Sequence, residues 1–227
     1  MPDVIKEAVA EHDIVNCEFI GDKLIEVHLR HNPDFEGHVM EFIPVWEGED
    51  TEYVLAPADG WIVEISNNEE RTARWDSSIT VPDQRIVIMH TCTFFTILIH
   101  LGELAPNVVA HTGEIPPDSK WFSIRSAPVP VKAGEPIAKI GLTGFDWSVH
   151  DTDTVLTGFV IPDHYEGENW KIHTVDPFQF FEEPLKSHLL SKAVRKAEPR
   201  SGKIDYDVEG TIAGNWFQDG TVGYRVL

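Results

Sequence analysis

The sequence predicts an all-β, barrel-like domain, and three of its features carry that expectation. Short runs rich in β-branched and aromatic residues recur between Gly, Pro and Asp turns, as strands do. The most apolar stretch, Ile86 to Leu101, alternates poorly and reads as two buried strands meeting near Thr91 to Thr93. A single segment, between Glu182 and Lys196, carries a convincing helical stripe.

Taken in order, Ile14 to Phe19 and Lys23 to Leu29 flank Gly21-Asp22 and read as a hairpin. The loop from His31 to Asp34 leads to a strand candidate, His38 to Trp46. Further strands are expected at Tyr53 to Ala56 and Trp61 to Ile65, with a polar, solvated loop from Asn67 to Asp76. After Leu101 the proline-rich segment His111 to Pro130 reads as an insertion or long loop. A turn, Val131 to Pro136, precedes a short strand ending at Gly141, and Trp147 to Val155 and Gly158 to Ile161 are strand candidates. In the helix, Pro184 suits the first turn, while Lys192, Arg195 and Lys196 suit the negative end. Leu185, Leu189, Leu190 and Ala193 form its apolar stripe. The tail segments Ile212 to Phe217 and Val222 to Val226 flank Asp219-Gly220 and read as a terminal β-hairpin. The organisation expected is an N-terminal β extension (1–36), a barrel core (37–181) and a C-terminal helix with hairpin (182–227).

Composition narrows the function classes. Hydrophobic residues make up 42% of the 227 and aromatics 10%, enough to build a substantial core. With 18 Lys plus Arg against 38 Asp plus Glu, the formal charge is -20, which repels phosphate backbones and argues against nucleic acid. The same field steers cations toward the surface, and it also serves solubility. No apolar run approaches the roughly 20 residues that span a bilayer, and Met1 to Asp13 is too polar for a signal peptide. Cys17 and Cys92 form no disulfide framework or zinc knuckle, and their spacing does not decide whether they pair.

Four segments stand in a telling order: Leu55 to Val63 (LAPADGWIV), Ile86 to His90 with Thr96 to Leu101 (IVIMH, TILIHL), Val131 to Gly141 (VKAGEPIAKIG), and Leu142 to Gly144 (LTG). Each is weak alone, but the order and spacing together are more specific. The order resembles the duplicated hybrid motif, the β barrel-sandwich core of lysostaphin-type zinc endopeptidases, over roughly Gly37 to Val149. It is also similar to a group of extracellular proteins on that core. Their His-rich segment, Leu-Asp-Phe-Gly-Val-type strand and Gly-Asn-Trp-Phe tail correspond here to His31 to Phe42, Phe145 to Val149 and Gly210 to Phe217.

That resemblance implies a zinc site. In the endopeptidases zinc is held by the His and Asp of H-x-x-x-D and by the second His of H-x-H, while the His of Tyr-x-His-Leu assists catalysis. Residue pairs at i, i+2 or i, i+4 on a strand project from one face and can converge on a metal. Carried over, His38 fits the first ligand, but Phe42 stands where the Asp belongs. His100 fits the catalytic His. The H-x-H segment falls on Gly144-Phe145-Asp146, so Asp146 takes the ligand position and the first His is absent. The remaining set is His38, His100 and Asp146, with His150 and His31 as additional candidates. Two imidazoles and one carboxylate form an acceptable zinc triad.

Three functions follow from different classes. The first is a zinc-dependent hydrolase of peptide or peptidoglycan amide bonds, extracellular or in the cell envelope by resemblance. The second is a non-catalytic binding or scaffold domain that kept the barrel, for which Phe42 speaks. The third is a histidine phosphocarrier resembling the glucose-type enzyme IIA, matched locally by Leu98 to Gly102 with His100 as the phosphorylated residue. Lesser signals have plainer readings. His90 reads as a satisfied structural histidine, Cys92 as a buried thiol beside Phe94 and Phe95, and Asp151 with Asp153 as an incomplete calcium loop.

Overall fold

The computed structural model describes residues 14–20, 23–29, 53–68, 70–74, 76–113, 115, 122–123, 128–142 and 144–224. The expected strand His38 to Trp46, and with it His31, His38 and Phe42, lies outside them. The chain divides into two compact units, Met1–Trp147 and Ser148–Leu227.

The described strands of the first unit are β1 (Ile14–Ile20), β2 (Lys23–Leu29), β3 (Tyr53–Leu55), β4 (Gly60–Asn67), β5 (Arg71–Thr72), β6 (Thr80–Val81), β7 (Gln84–Met89), β8 (Phe94–Leu104), β9 (Phe122–Ser123), β10 (Val129–Val131) and β11 (Pro136–Ile140). A further strand, β12 (Asp146–Asp151), begins in this unit. β1 and β2 pair antiparallel as the hairpin the sequence leads one to expect. The main sheet runs in the order β10-β4-β7-β8-β11-β3 and curls into an antiparallel half-barrel.

Burial follows the branched side chains. Val54, Ile62, Ile65, Ile86, Ile88, Leu98, Leu101 and Ile137 pack into one buried cluster, which is why these strands tolerate so little polar alternation. Two of the motif segments meet in space. Ala56 N–H donates to the Glu135 carbonyl at 2.8 Å, Gly134 N–H donates to the Ala56 carbonyl at 2.9 Å, and Ala133 N–H donates to the Asp59 carboxylate at 2.9 Å. Gly134 takes φ 78°, a turn conformation that a side chain resists.

Several expectations are corrected. The stretch Asn67 to Asp76 is not all loop, because Arg71–Thr72 ladders with Thr80–Val81 and the Thr72 and Thr80 hydroxyls meet at 3.1 Å. Pro106–Thr112 is a short helix, and its last two residues fall where the expected loop His111 to Pro130 begins. Pro106 starts it without losing a hydrogen bond, and Gly113 ends it at φ 69° with its N–H on the Val109 carbonyl.

In the second unit carboxylates accept from several backbone amides where ladders were expected. β12 stops at Asp151, whose side chain accepts from Asp153 N–H at 3.0 Å in a tight turn. The expected strand Gly158 to Ile161 does not form. Gly158 N–H goes to the Asp205 carboxylate and Val160 N–H to the Asp207 carboxylate, both at 2.9 Å. The expected terminal β-hairpin is absent among the described residues too. Asp207 accepts from the backbone and the side-chain amide of Asn215, each at 2.7 Å, and the tail turns back at Val208 to Ala213. Phe217 and Tyr224 then stack on Tyr165, which holds the tail by ring contacts. Burial first, then the charge of Asp207, pushes the Tyr165 phenol up to about 12, so it stays neutral. β13 (Thr174–Val175) pairs with the end of β12. The helix is Leu185–Lys192, shorter than expected, with Arg200 donating to the Leu190 and Ala193 carbonyls beyond its end.

Desolvation raises the Asp207 carboxyl, but the hydrogen bonds from Val160 and Asn215 outweigh it and leave the group below its ordinary value. A lowered folded pKa stabilises at pH above the unfolded value, about 4, and is lost as pH falls through the folded value. An Asp207→Ala variant is therefore expected to unfold more easily than wild type at pH 6, with the gap closing below about pH 4. Thermal melts across that range check this, and a gap that persisted unchanged into acid would remove the role given to Asp207.

Candidate functional site

The site is built by a defect in β8. Thr96 and Leu98 face the core, so strict period-two alternation would carry His100 into it as well. Instead Gln84 pairs with Leu101 and Arg85 with Ile99, which leaves His100 as an extra residue with no partner on β7. This β-bulge restores the core face at Leu101 and turns His100 away from it. The backbone pays locally, since His100 sits at φ 67°, in the left-handed region disfavoured for a residue with a Cβ. Gly141 lies against the His100 carbonyl so closely that a Cβ there would collide with it.

The redirected imidazole meets two carboxylates. Its Nδ1 is 2.9 Å from Oδ2 of Asp83, a side chain only 6% exposed. Asp83 is held in turn, with its Oδ1 accepting from Asn68 Nδ2 at 3.3 Å, its carbonyl accepting from Asn68 N–H at 2.8 Å, and Arg71 Nε lying 3.8 Å from Oδ2. On the other side, His100 Nε2 is 3.7 Å from Oδ2 of Asp146, which is 77% exposed. The imidazole, 35% exposed, therefore stands between a buried carboxylate and a solvated one.

Of the candidate residues read from the sequence, His100 and Asp146 come together. His38 and His31 lie outside the described residues. His150 is 2% exposed, with Nε2 on the Ser148 hydroxyl at 2.7 Å and Nδ1 on the Trp170 carbonyl at 3.0 Å. Both ring nitrogens are thus engaged within the second unit, and His150 serves packing there. His90 is likewise satisfied, by the Asp59 carbonyl and the Thr96 hydroxyl. Asp83 was missed. Its only trace in the sequence is position, one residue ahead of the strand that pairs with the His100 strand, and that signal exists only once register is known.

Among the described residues no three His, Cys, Asp or Glu side chains converge as a metal site. The fit to zinc is therefore judged on two ligands. Bonds of about 2.0–2.2 Å from a tetrahedral zinc put neighbouring ligand atoms roughly 3.3–3.6 Å apart. The 3.7 Å separation of His100 Nε2 and Asp146 Oδ2 is near that edge length and too long for a hydrogen bond. No protein-family model, curated protein or solved structure matches this chain.

The bulge makes a direct demand on residue 100. Replacing His100 by Gly or by Ala removes the same imidazole, but only Gly accepts φ 67° freely. In an ordinary strand Ala is the more stable of the two. Here His100→Gly is expected to exceed His100→Ala in stability by about 1 kcal/mol, read from urea midpoints. Equal stabilities, or Ala ahead, would deny the left-handed bulge.

Proposed function

We propose that the chain is a divergent metal-dependent hydrolase, with zinc held by His100, Asp146 and His38 and with peptide or peptidoglycan amide bonds as the substrate class. The observation that carries the reading is the spacing of His100 Nε2 and Asp146 Oδ2, 3.7 Å, with both side chains reached by solvent. The donor set also suits the ion, because two imidazoles and one carboxylate leave a bound dication with net positive charge.

Each residue has a definite task in this reading. His100 binds through Nε2, with Nδ1 occupied by Asp83. Asp146 would hold the ion through its carboxylate, and as a group 77% exposed it would also be open to a proton from incoming water. A bound zinc ion supplies Lewis acidity, polarising the amide carbonyl. The strongly acidic surface, formally -20, favours delivery of the cation. The substrate class rests on the resemblance of the motif segments to the lysostaphin-type endopeptidases.

The phosphocarrier reading is weaker on electrostatic grounds. The imidazole nitrogen available to a phosphoryl group faces the Asp146 carboxylate, so the transferred group would meet like charge.

Zinc titration by calorimetry on the full chain tests the proposal. Wild type is expected to bind one ion, with His100→Ala and Asp146→Ala each weakening binding at least tenfold. Unchanged affinity in both variants would sink the assignment, as would no binding by wild type.

A further inference from the structure

We infer that Asp83, which belongs to none of the motif segments, is the positioning residue that fixes the proton of His100 on Nδ1 and leaves the Nε2 lone pair facing Asp146. The inference deepens the proposed function and rests on its choice of His100 as the working imidazole.

The hydrogen-bond inventory around Asp83 sets the direction of each bond. An ionised carboxylate offers acceptors only, so the 2.9 Å contact requires the N–H to sit on His100 Nδ1. Among the described residues, the side chains that meet the Asp83 carboxylate do so through donors. Asn68 Nδ2 donates to Oδ1, and the Arg71 guanidinium lies on the Oδ2 side. Nothing among these partners offers Asp83 an acceptor, which keeps it in the accepting role. With Nδ1 carrying the proton, a neutral imidazole has its lone pair on Nε2, the nitrogen 3.7 Å from Asp146. The bulge contributes the other half, by bringing an imidazole out of the core beside a carboxylate that is itself almost wholly buried.

A sharp consequence concerns Asp83→Asn, which keeps size and shape. Asn68 still presents its side-chain donor to the Oδ1 position. Asn68 is within hydrogen-bond reach at 3.3 Å whereas Arg71 Nε, 3.8 Å from Oδ2, is not, so the new side chain is expected to keep its carbonyl oxygen toward Asn68, which turns its NH2 toward His100 Nδ1. That nitrogen must then accept, and the proton moves to Nε2. An orienting carboxylate replaced by its amide selects the wrong tautomer while geometry survives. The result is a folded protein whose His100 has no lone pair to offer at the exposed nitrogen.

The experiment is 15N-edited NMR of the histidine rings, recorded at about pH 8.5, roughly two units above the ordinary imidazole value, with His100 assigned by its loss in His100→Ala. Wild type is expected to show a protonated, pyrrole-type Nδ1 and a pyridine-type Nε2, and Asp83→Asn the reverse. Thermal melts alongside show whether the variant remains folded. In zinc titrations Asp83→Asn is expected to bind about 10–100-fold more weakly. A wild-type His100 protonated at Nε2 would overturn the inference, as would an Asp83→Asn variant with the wild-type tautomer. Should that variant fail to fold, the wild-type tautomer and that of Asp83→Glu, which keeps the acceptor and should keep the Nδ1 proton, decide the matter. If the tautomers are as expected and wild type binds no zinc, the positioning role stands and the metal reading falls.

Discussion

One extra residue in β8 decides what this half-barrel presents to solvent. A strand that enters the core at Thr96 and Leu98 would ordinarily bury its histidine two residues on, where an imidazole needs partners that an Ile- and Val-lined core does not hold. The bulge removes that conflict by changing which side of the sheet the following residues face. Leu101 takes the buried place, and His100 is delivered to Asp83 and Asp146. The cost is a side chain held in the left-handed region, of the order of 1–2 kcal/mol, and it is met by the surrounding ladders of β7 and β11. Strain of this kind persists only where neighbouring structure over-determines it, and here Gly141 supplies the room for the displaced carbonyl.

The partition of roles around the imidazole follows from burial. Asp83 is withdrawn from water and has its donors arranged around it, which suits a group whose task is orientation. Asp146 is solvated and has no such cage among the described contacts to His100, which suits a group that meets an incoming ligand. A buried carboxylate, an imidazole and an exposed carboxylate in sequence make a graded path from interior to solvent. Such a path is a chemical asset in either a metal site or a proton-handling one.

The strands were legible where burial dictates composition. The Ile86 to Leu101 run, the break near Thr91 to Thr93 and the short strand from Pro136 all follow from branched residues between turn residues. The poor alternation of that run reflects consecutive burial, as at Ile86 to Met89, and the bulge itself was not visible, since the phase slip becomes assignable only against the register of β7. His100 and Asp146 were legible through motif spacing; Asp83 was not, because its role depends on a neighbour seventeen positions away along the chain and adjacent only through pairing. The errors in the second unit share one cause. Gly158 to Ile161 and the tail have strand-like composition, yet the Asp205 and Asp207 carboxylates accept from the backbone amides of Gly158, Val160 and Asn215 that a ladder would have taken, and the tail's rings pack on Tyr165. Side-chain competition for backbone groups leaves little mark on hydrophobic pattern. The helix Pro106–Thr112 did carry its signals, Pro at the start and Gly at the stop, beneath a β-branched interior.

The most direct measurement is a crystal structure of the full chain grown with zinc. An ion bonded to His100 Nε2 and an Asp146 oxygen at about 2.0–2.2 Å, with Nδ1 still on Asp83, is the expected result. An ion held elsewhere, or an imidazole at position 100 turned into the core with β8 in unbroken register, would contradict it.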